Sequence, residues 1–164
     1  MIDVEQMTVA ELLGAYAAVL AELRRRRVVR SNNAPVGDYA EALVATALGG
    51  TLAGSVSEKS YDLIASTWGR VQVKARAVGE PPTRSDLQTS PFRSWDFDHA
   101  ALVMLRRSDY QVHSAFLIPI DVLRPLSAWR QYLNGSIVLM TSELLGQPGA
   151  VDVTAELQTA ADGM

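Results

Sequence analysis

Four polar residues in the first half of the chain are of the types that bind a divalent cation and act on a phosphodiester: Glu41, Asp62, Gln72 and Lys74. Asp62 lies in an otherwise apolar segment, and Gln72 and Lys74 follow ten and twelve residues later. A buried carboxylate is costly unless it is paired or binds a metal, so Asp62 needs a partner. Carboxylate and amide oxygens suit Mg²⁺ or Mn²⁺. A lysine ammonium beside them would orient or activate the attacking water and offset the charge of a phosphate.

The elements around these residues predict that they meet. Alternation along 70–77 places Val71, Val73 and Ala75 on one face of a strand and Gln72, Lys74 and Arg76 on the other. A Trp68-Gly69 turn joins this strand to the one at 61–65, which predicts a hairpin that brings Asp62 beside Gln72 and Lys74. Glu41 lies on a preceding helix, about 34–48, which can dock against the same edge of the sheet.

The remaining pattern predicts an α/β domain around a mixed sheet. A first helix is expected over 8–28, where Thr8 and Glu11 form a capping-box pattern, and Ser31-Asn32-Asn33 breaks it. Further strands are predicted at 51–55, at 100–105 (buried on both faces) and at 111–120. The segment 79–95 is predicted to be a mobile loop or irregular insertion. The tail is predicted to hold a helix at 123–132, a strand at 136–141 and a helix at 154–161 capped by Thr154.

The charge distribution is consistent with a nucleic-acid partner despite a net charge of −3. Residues 1–23 and 131–164 hold four acids each and no base, so all 15 basic residues fall within 24–130. Arginine suits phosphate recognition because its guanidinium bonds in a bidentate manner. The alternative is a solvated helix end whose cations complement the helix dipole, and both interpretations can hold together. The residues predicted to contact nucleic acid are Arg24, Arg25, Arg26, Arg27, Arg30 and Arg76.

Composition excludes several other classes of protein. The chain has no cysteine, which rules out disulfides, thiolate metal sites and cysteine nucleophiles. Its two histidines argue against a multi-histidine zinc site. No apolar run reaches the roughly 20 residues needed to cross a bilayer, and the N-terminus lacks the pattern of a signal peptide. We therefore expect a single cytoplasmic domain over residues 1–164 with no membrane partner.

Taken together, Glu41, the stretch Tyr61-Asp62-Leu63 and the stretch Gln72-Val73-Lys74 resemble the core of the PD-(D/E)xK nucleases. That core is a helix, three strands, a helix and a strand. The Gln-x-Lys form is similar to Mrr-like restriction nucleases, and 30–41 is similar to small bacterial proteins described as restriction-endonuclease-like. The resemblance covers about residues 24–120, so it implies an N-terminal helix (1–30), a nuclease-like core (31–120) and a C-terminal extension (121–164).

The resemblance also implies roles for individual residues. Asp62 would be the central ligand of Mg²⁺ or Mn²⁺, Gln72 and the backbone carbonyl of Val73 further ligands, Glu41 an outer or direct contact, and Lys74 the catalytic lysine. The implied activity is hydrolysis of DNA phosphodiester bonds, with a homodimer as the expected assembly. A neutral Gln72 should hold the ion more weakly than an acid would. The alternative is therefore an inactive module that keeps the fold to bind nucleic acid or a protein.

Overall fold

The chain forms a mixed α/β structure around a six-stranded sheet with the strand order β1-β2-β3-β4-β5-β8. We describe it from a computed structural model that covers residues 2–31, 34–54 and 60–164. The strands are β1 Thr51–Leu52, β2 Leu63–Ala65, β3 Gly69–Val78, β4 His99–Arg106, β5 Val112–Pro119, β6 Ala128–Arg130, β7 Gly135–Ile137 and β8 Val151–Asp152. The helices are α1 Val9–Arg25, α2 Val36–Leu48, α3 Ile120–Leu123, α4 Ser142–Leu145 and α5 Thr154–Asp162. Strands β3 and β4 pair in parallel, and the other neighbours in this sheet are antiparallel.

The central strand β4 is buried on both faces, as its continuous apolar run predicts. Ala101, Val103 and Leu105 belong to the core that α2 and α5 cover. Ala100 and Leu102 belong to a second core on the opposite face, which includes Phe92 and Phe97 from the segment before β4. The sheet therefore separates two apolar layers, and its faces are distinct environments.

The hairpin of β2 and β3 forms as predicted, with Gly69 at its turn. Gly69 has a φ of 69°, the left-handed conformation that a residue without a Cβ adopts most easily. Leu63 pairs with Val71, and Ala65 pairs with Gly69. This register fixes which residues of β3 stand beside the residues that precede β2.

Helix α1 begins at the predicted cap but packs on little of the domain. Thr8 and Glu11 form the reciprocal capping box, so this prediction is confirmed. Leu20 is the one buried residue of the helix. An apolar stripe along the rest of the helix faces solvent and consists of Val9, Leu12, Leu13, Tyr16 and Val19.

Among the described residues, no helix is long and apolar enough to cross a membrane.

Several sequence predictions need correction. Segment 79–95 is irregular, but it packs against the domain: Phe92 exchanges two backbone hydrogen bonds with Ser136, and Thr89 is buried. The strand predicted at 51–55 is limited to Thr51–Leu52, and its last residue, like Asn32 and Asn33 of the predicted helix break, lies outside the described residues.

The predictions for the tail, residues 121–164, include the largest number of errors. No helix spans 123–132, because Pro125 lacks a backbone N–H and the chain instead forms a 3-10 turn, Arg124–Leu126, before β6. The strand at 136–141 is limited to the residues of β7. Thr154 begins α5 but does not cap it; its hydroxyl accepts a bond of 2.9 Å from the backbone N–H of Ala115. Strand β8, which extends the sheet beyond β5, was not predicted.

Candidate functional site

The site begins where the β2–β3 ladder ends. Asp62 lies directly before β2, and its backbone N–H donates to the carbonyl of Val71 at 2.9 Å. At the next bonding position along β3, the acceptor is the side-chain carboxylate of Asp62 and not a backbone carbonyl. Its Oδ2 accepts from the backbone N–H of Val73 at 2.7 Å and from Nε2 of Gln72 at 2.7 Å. The hairpin thus brings Asp62 and Gln72 into direct contact, as its ten-residue spacing predicts.

The backbone of Val73 presents its carbonyl to the same edge. The N–H and C=O of one strand residue point to the same neighbour, and the N–H of Val73 points to Asp62. The side chain of Val73 is buried in the core beneath α2. Its carbonyl oxygen is therefore available on the side of Asp62 as a hard oxygen ligand.

Lys74 lies on the same face of β3 as Gln72 and is fixed by the segment that precedes β4. Its Nζ donates to the carbonyl of Pro91 at 3.0 Å and lies 5.0 Å from the centre of the Phe92 ring. Burial lowers the pKa of the Lys74 ammonium, and the negative charge of Asp62 opposes this shift. Lys74 is therefore held in position and releases a proton more readily than an exposed lysine does.

Glu41 on α2 lies close enough to Asp62 for the two charges to interact. Its side chain is 17% exposed. Burial raises the pKa of Glu41 to about 7; the charge of Asp62 contributes to the rise, and the charge of Arg30 opposes it. Burial likewise raises the pKa of Asp62, against the N–H of Val73 and the charge of Lys74. Two buried carboxylates that repel each other favour a cation between them.

Arg30 supplies one cation from within the chain. Its guanidinium forms an ion pair with Glu41 and donates to the carbonyl of Ala53 at 3.1 Å. Asp38 positions this arginine, because its Oδ2 accepts from the backbone N–H groups of Arg30 and Ser31, both at 2.7 Å. Arg30, predicted to bind nucleic acid, is thus part of the carboxylate site.

The other predicted nucleic-acid residues lie apart from the four central side chains or are already engaged. Arg25 and Arg26 pair with Glu22 on the last turns of α1. Arg24 and Arg27 are exposed at the same end of the helix. Arg76 lies on the Lys74 face of β3 and donates to the carbonyl of Ser85 at 3.3 Å. Arg30 is thus the member of the predicted set that contacts a carboxylate of the site.

The sequence analysis assigned no function to four further arginines, all of which are exposed. Among the described residues, none of them forms an ion pair with a carboxylate. They are scattered through the sequence, and the signal that could have found them is the stretch 122–142, which contains two of them and no acid. These residues are Arg84, Arg93, Arg124 and Arg130.

The donor set fits a hard divalent cation. It comprises the carboxylates of Glu41 and Asp62, the side-chain oxygen of Gln72 and the carbonyl of Val73, all oxygen ligands of the kind that Mg²⁺ and Mn²⁺ accept. In the part of the chain that the structure describes, no group of three or more Asp, Glu, His or Cys side chains could hold a metal ion. Binding here would therefore need the amide and carbonyl oxygens in addition to the two carboxylates.

No protein-family model matches the sequence, and a search of curated proteins finds no match. The function of the chain is therefore inferred from the geometry and chemistry of the site itself.

Proposed function

We propose that the chain is a metal-dependent endonuclease of the PD-(D/E)xK type that hydrolyses DNA phosphodiester bonds. One observation carries the proposal: the carboxylate of Asp62 bonds to Gln72 and to the N–H of Val73, and its charge acts on both Glu41 and Lys74. An ammonium and two buried carboxylates on one edge of a sheet are costly without a ligand, so a functional role explains their presence.

Each residue has a separate task in this proposal. Asp62, Gln72 and the carbonyl of Val73 would hold Mg²⁺ or Mn²⁺, and Glu41 would contact it directly or through water. When bound, the ion supplies positive charge that stabilises the phosphoryl oxygens during hydrolysis. Lys74, held by the carbonyl of Pro91, orients the attacking water and offsets the negative charge of the phosphate.

A second candidate is an inactive module that keeps the nuclease fold to bind nucleic acid or a protein. The ion pair between Arg30 and Glu41 favours it, because an internal cation already compensates one of the two carboxylates. The neutral amide of Gln72 also bonds to Asp62, which leaves the site satisfied without a metal. Under this alternative, binding persists and hydrolysis does not occur.

The proposed enzyme acts as a homodimer, and α1 offers a surface for it. At about 1.5 Å per residue, the 17 residues of α1 extend about 25 Å. Glu5 and Glu11 lie at or before its first turn, and Arg24–Arg27 lie at its end. An antiparallel pair of α1 helices would cover both apolar stripes and place each acidic end beside the arginine end of the second copy.

The decisive experiment is cleavage of supercoiled and linear DNA with Mg²⁺ or Mn²⁺, with EDTA as the blank. We expect the wild type to cut, and Asp62→Asn and Lys74→Met each to reduce the rate by about 100-fold or more. Asp109→Asn is the matched control, because this exposed carboxylate lies in the turn at the far end of β4. Circular dichroism of each variant checks that it folds.

The outcomes separate the two candidates. Equal cleavage by the wild type, Asp62→Asn and Lys74→Met would refute the nuclease proposal. Salt-sensitive DNA binding without cleavage by the wild type would support the inactive module.

A further inference from the structure

The C-terminal extension contains a hairpin that exposes two aromatic side chains. Strand β6 pairs with β7 as a two-stranded sheet outside the main one. Trp129 in β6 is 58% exposed, and Tyr132 at the tip of the hairpin is 79% exposed. Burial of a large aromatic side chain is favourable, so the exposure of two such rings on one short hairpin indicates a surface that binds a ligand.

Backbone hydrogen bonds attach this hairpin to the segment that positions Lys74. Ser136 of β7 donates to the carbonyl of Phe92 at 2.9 Å and accepts from its N–H at 2.7 Å. Trp129 pairs with Ser136 on the other side of β7. Directly paired residues of antiparallel strands point to the same face, so Trp129 projects on the face of Phe92. The ring of Phe92 lies beside the ammonium of Lys74, and two strand spacings place Trp129 about 10 Å from the Phe92 backbone.

Positive charge follows the same face. Trp95 stacks on Phe92 with ring centres 5.1 Å apart, and the guanidinium carbon of Arg124 lies 5.8 Å from the centre of the Trp95 ring. Arg93 lies close enough to Lys74 for its positive charge to lower the pKa of that ammonium. Neither Arg93 nor Arg124 pairs with a carboxylate of the described residues. We call this surface the aromatic–arginine face; its residues are Trp129, Tyr132, Arg93 and Arg124.

We propose that the aromatic–arginine face binds single-stranded polynucleotide and delivers it to Lys74. Unpaired bases stack on Trp129 and Tyr132, and Arg93 and Arg124 contact the phosphates. Base stacking on an aromatic ring tolerates any sequence but requires a base that is free of its own duplex stack. The inference rests on the proposed function and narrows its substrate class to unpaired or locally opened strands.

The distance between Trp129 and Phe92 suits a stacked single strand of nucleic acid. A stacked strand advances about 3.4 Å per nucleotide, so about 10 Å between Trp129 and Phe92 corresponds to roughly three nucleotides. A protein partner would also cover exposed aromatics, but Arg93 and Arg124 form no ion pair with a carboxylate of the described residues, which favours a polyanion.

The test is fluorescence anisotropy with labelled dT12, rU12 and a 12-base-pair duplex, at low salt and in EDTA. We expect Trp129→Ala to weaken binding of dT12 or rU12 about 10-fold, or roughly 1.4 kcal/mol, and to change duplex binding less than twofold. Trp129→Phe should retain most of the affinity. Val151→Ala is the control, since it removes an exposed apolar side chain from β8 at the edge of the sheet.

A second readout supports the assignment of the stacked ring. Of the three tryptophans, Trp129 is the most exposed, so quenching of intrinsic fluorescence by dT12 should disappear in Trp129→Phe while binding persists. Arg93→Gln with Arg124→Gln should weaken binding and lower the slope of affinity against salt. The better-bound oligonucleotide of dT12 and rU12 identifies the sugar of the substrate.

The result that overturns the inference is equal affinity of wild type and Trp129→Ala for both single strands, or an equal loss for the duplex. No binding of dT12 or rU12 at low salt also overturns it and leaves the surface to a protein partner. EDTA prevents metal-dependent cleavage, so Trp129-dependent binding tests the single-strand site independently of the nuclease assay.

Discussion

Glu41 allows the sharpest test of the site, because its carboxylate is held where its charge is unfavourable. The pKa of Glu41 rises from 4.5 to about 7 through burial and the charge of Asp62, against the charge of Arg30. The folded protein therefore binds the Glu41 proton more tightly than the unfolded chain does. As pH rises from 4.5 to 7, the unfolded chain ionises first, and the stability contributed by the neutral acid is lost.

The shift sets the expected size of the effect. A rise of about 2.5 pH units at about 1.36 kcal/mol per unit corresponds to about 3 kcal/mol of unfolding free energy. Glu41→Gln keeps the shape and removes the charge. Relative to wild type, this variant should therefore gain about 3 kcal/mol between pH 4.5 and pH 7.5, measured by urea unfolding in EDTA.

Added Mg²⁺ should offset this loss of unfolding free energy in the wild type. At pH 7.5 the ionised Glu41 and Asp62 favour a cation, so Mg²⁺ should raise the stability of the wild type more than that of Glu41→Gln. Glu156→Gln, an exposed carboxylate on α5, is the control. A stability difference between wild type and Glu41→Gln that stays constant with pH would show that the fold does not raise the pKa of Glu41.

Three further predictions concern the β6–β7 hairpin, α1 and α5. Gly135→Ala should lower the unfolding free energy by about 1–3 kcal/mol, because its Cβ would meet that of Pro91 at 2.7 Å; an unchanged urea midpoint would contradict this. Leu13→Glu, on an exposed position of α1, should convert a dimer to a monomer in light scattering without loss of helicity; a dimer that persists excludes α1 as the interface. Thr154→Val should cost about 1 kcal/mol, because the N–H of Ala115 loses its acceptor; thermal unfolding measures this, and equal stability would argue against it.

The sequence predicts the local part of the site well. A period of two along β3 sets Gln72 and Lys74 on one face, and the turn at Gly69 determines the register that brings Asp62 to them. The helix that carries Glu41 is likewise predicted from its apolar periodicity and from the glycine that ends it. Each of these features depends on residues close together in sequence, and for that reason each could be predicted.

What the sequence alone determined is therefore the α/β pattern, the β2–β3 hairpin and the four polar side chains that it gathers with α2. Tertiary contacts alone determine that Arg30 pairs with Glu41, that segment 79–95 packs onto Lys74, and that the hairpin at 128–137 bonds to that segment. These contacts join residues 11 to more than 40 positions apart. No local period encodes such pairings, because they depend on which surfaces remain uncovered once the sheet and its two cores have formed.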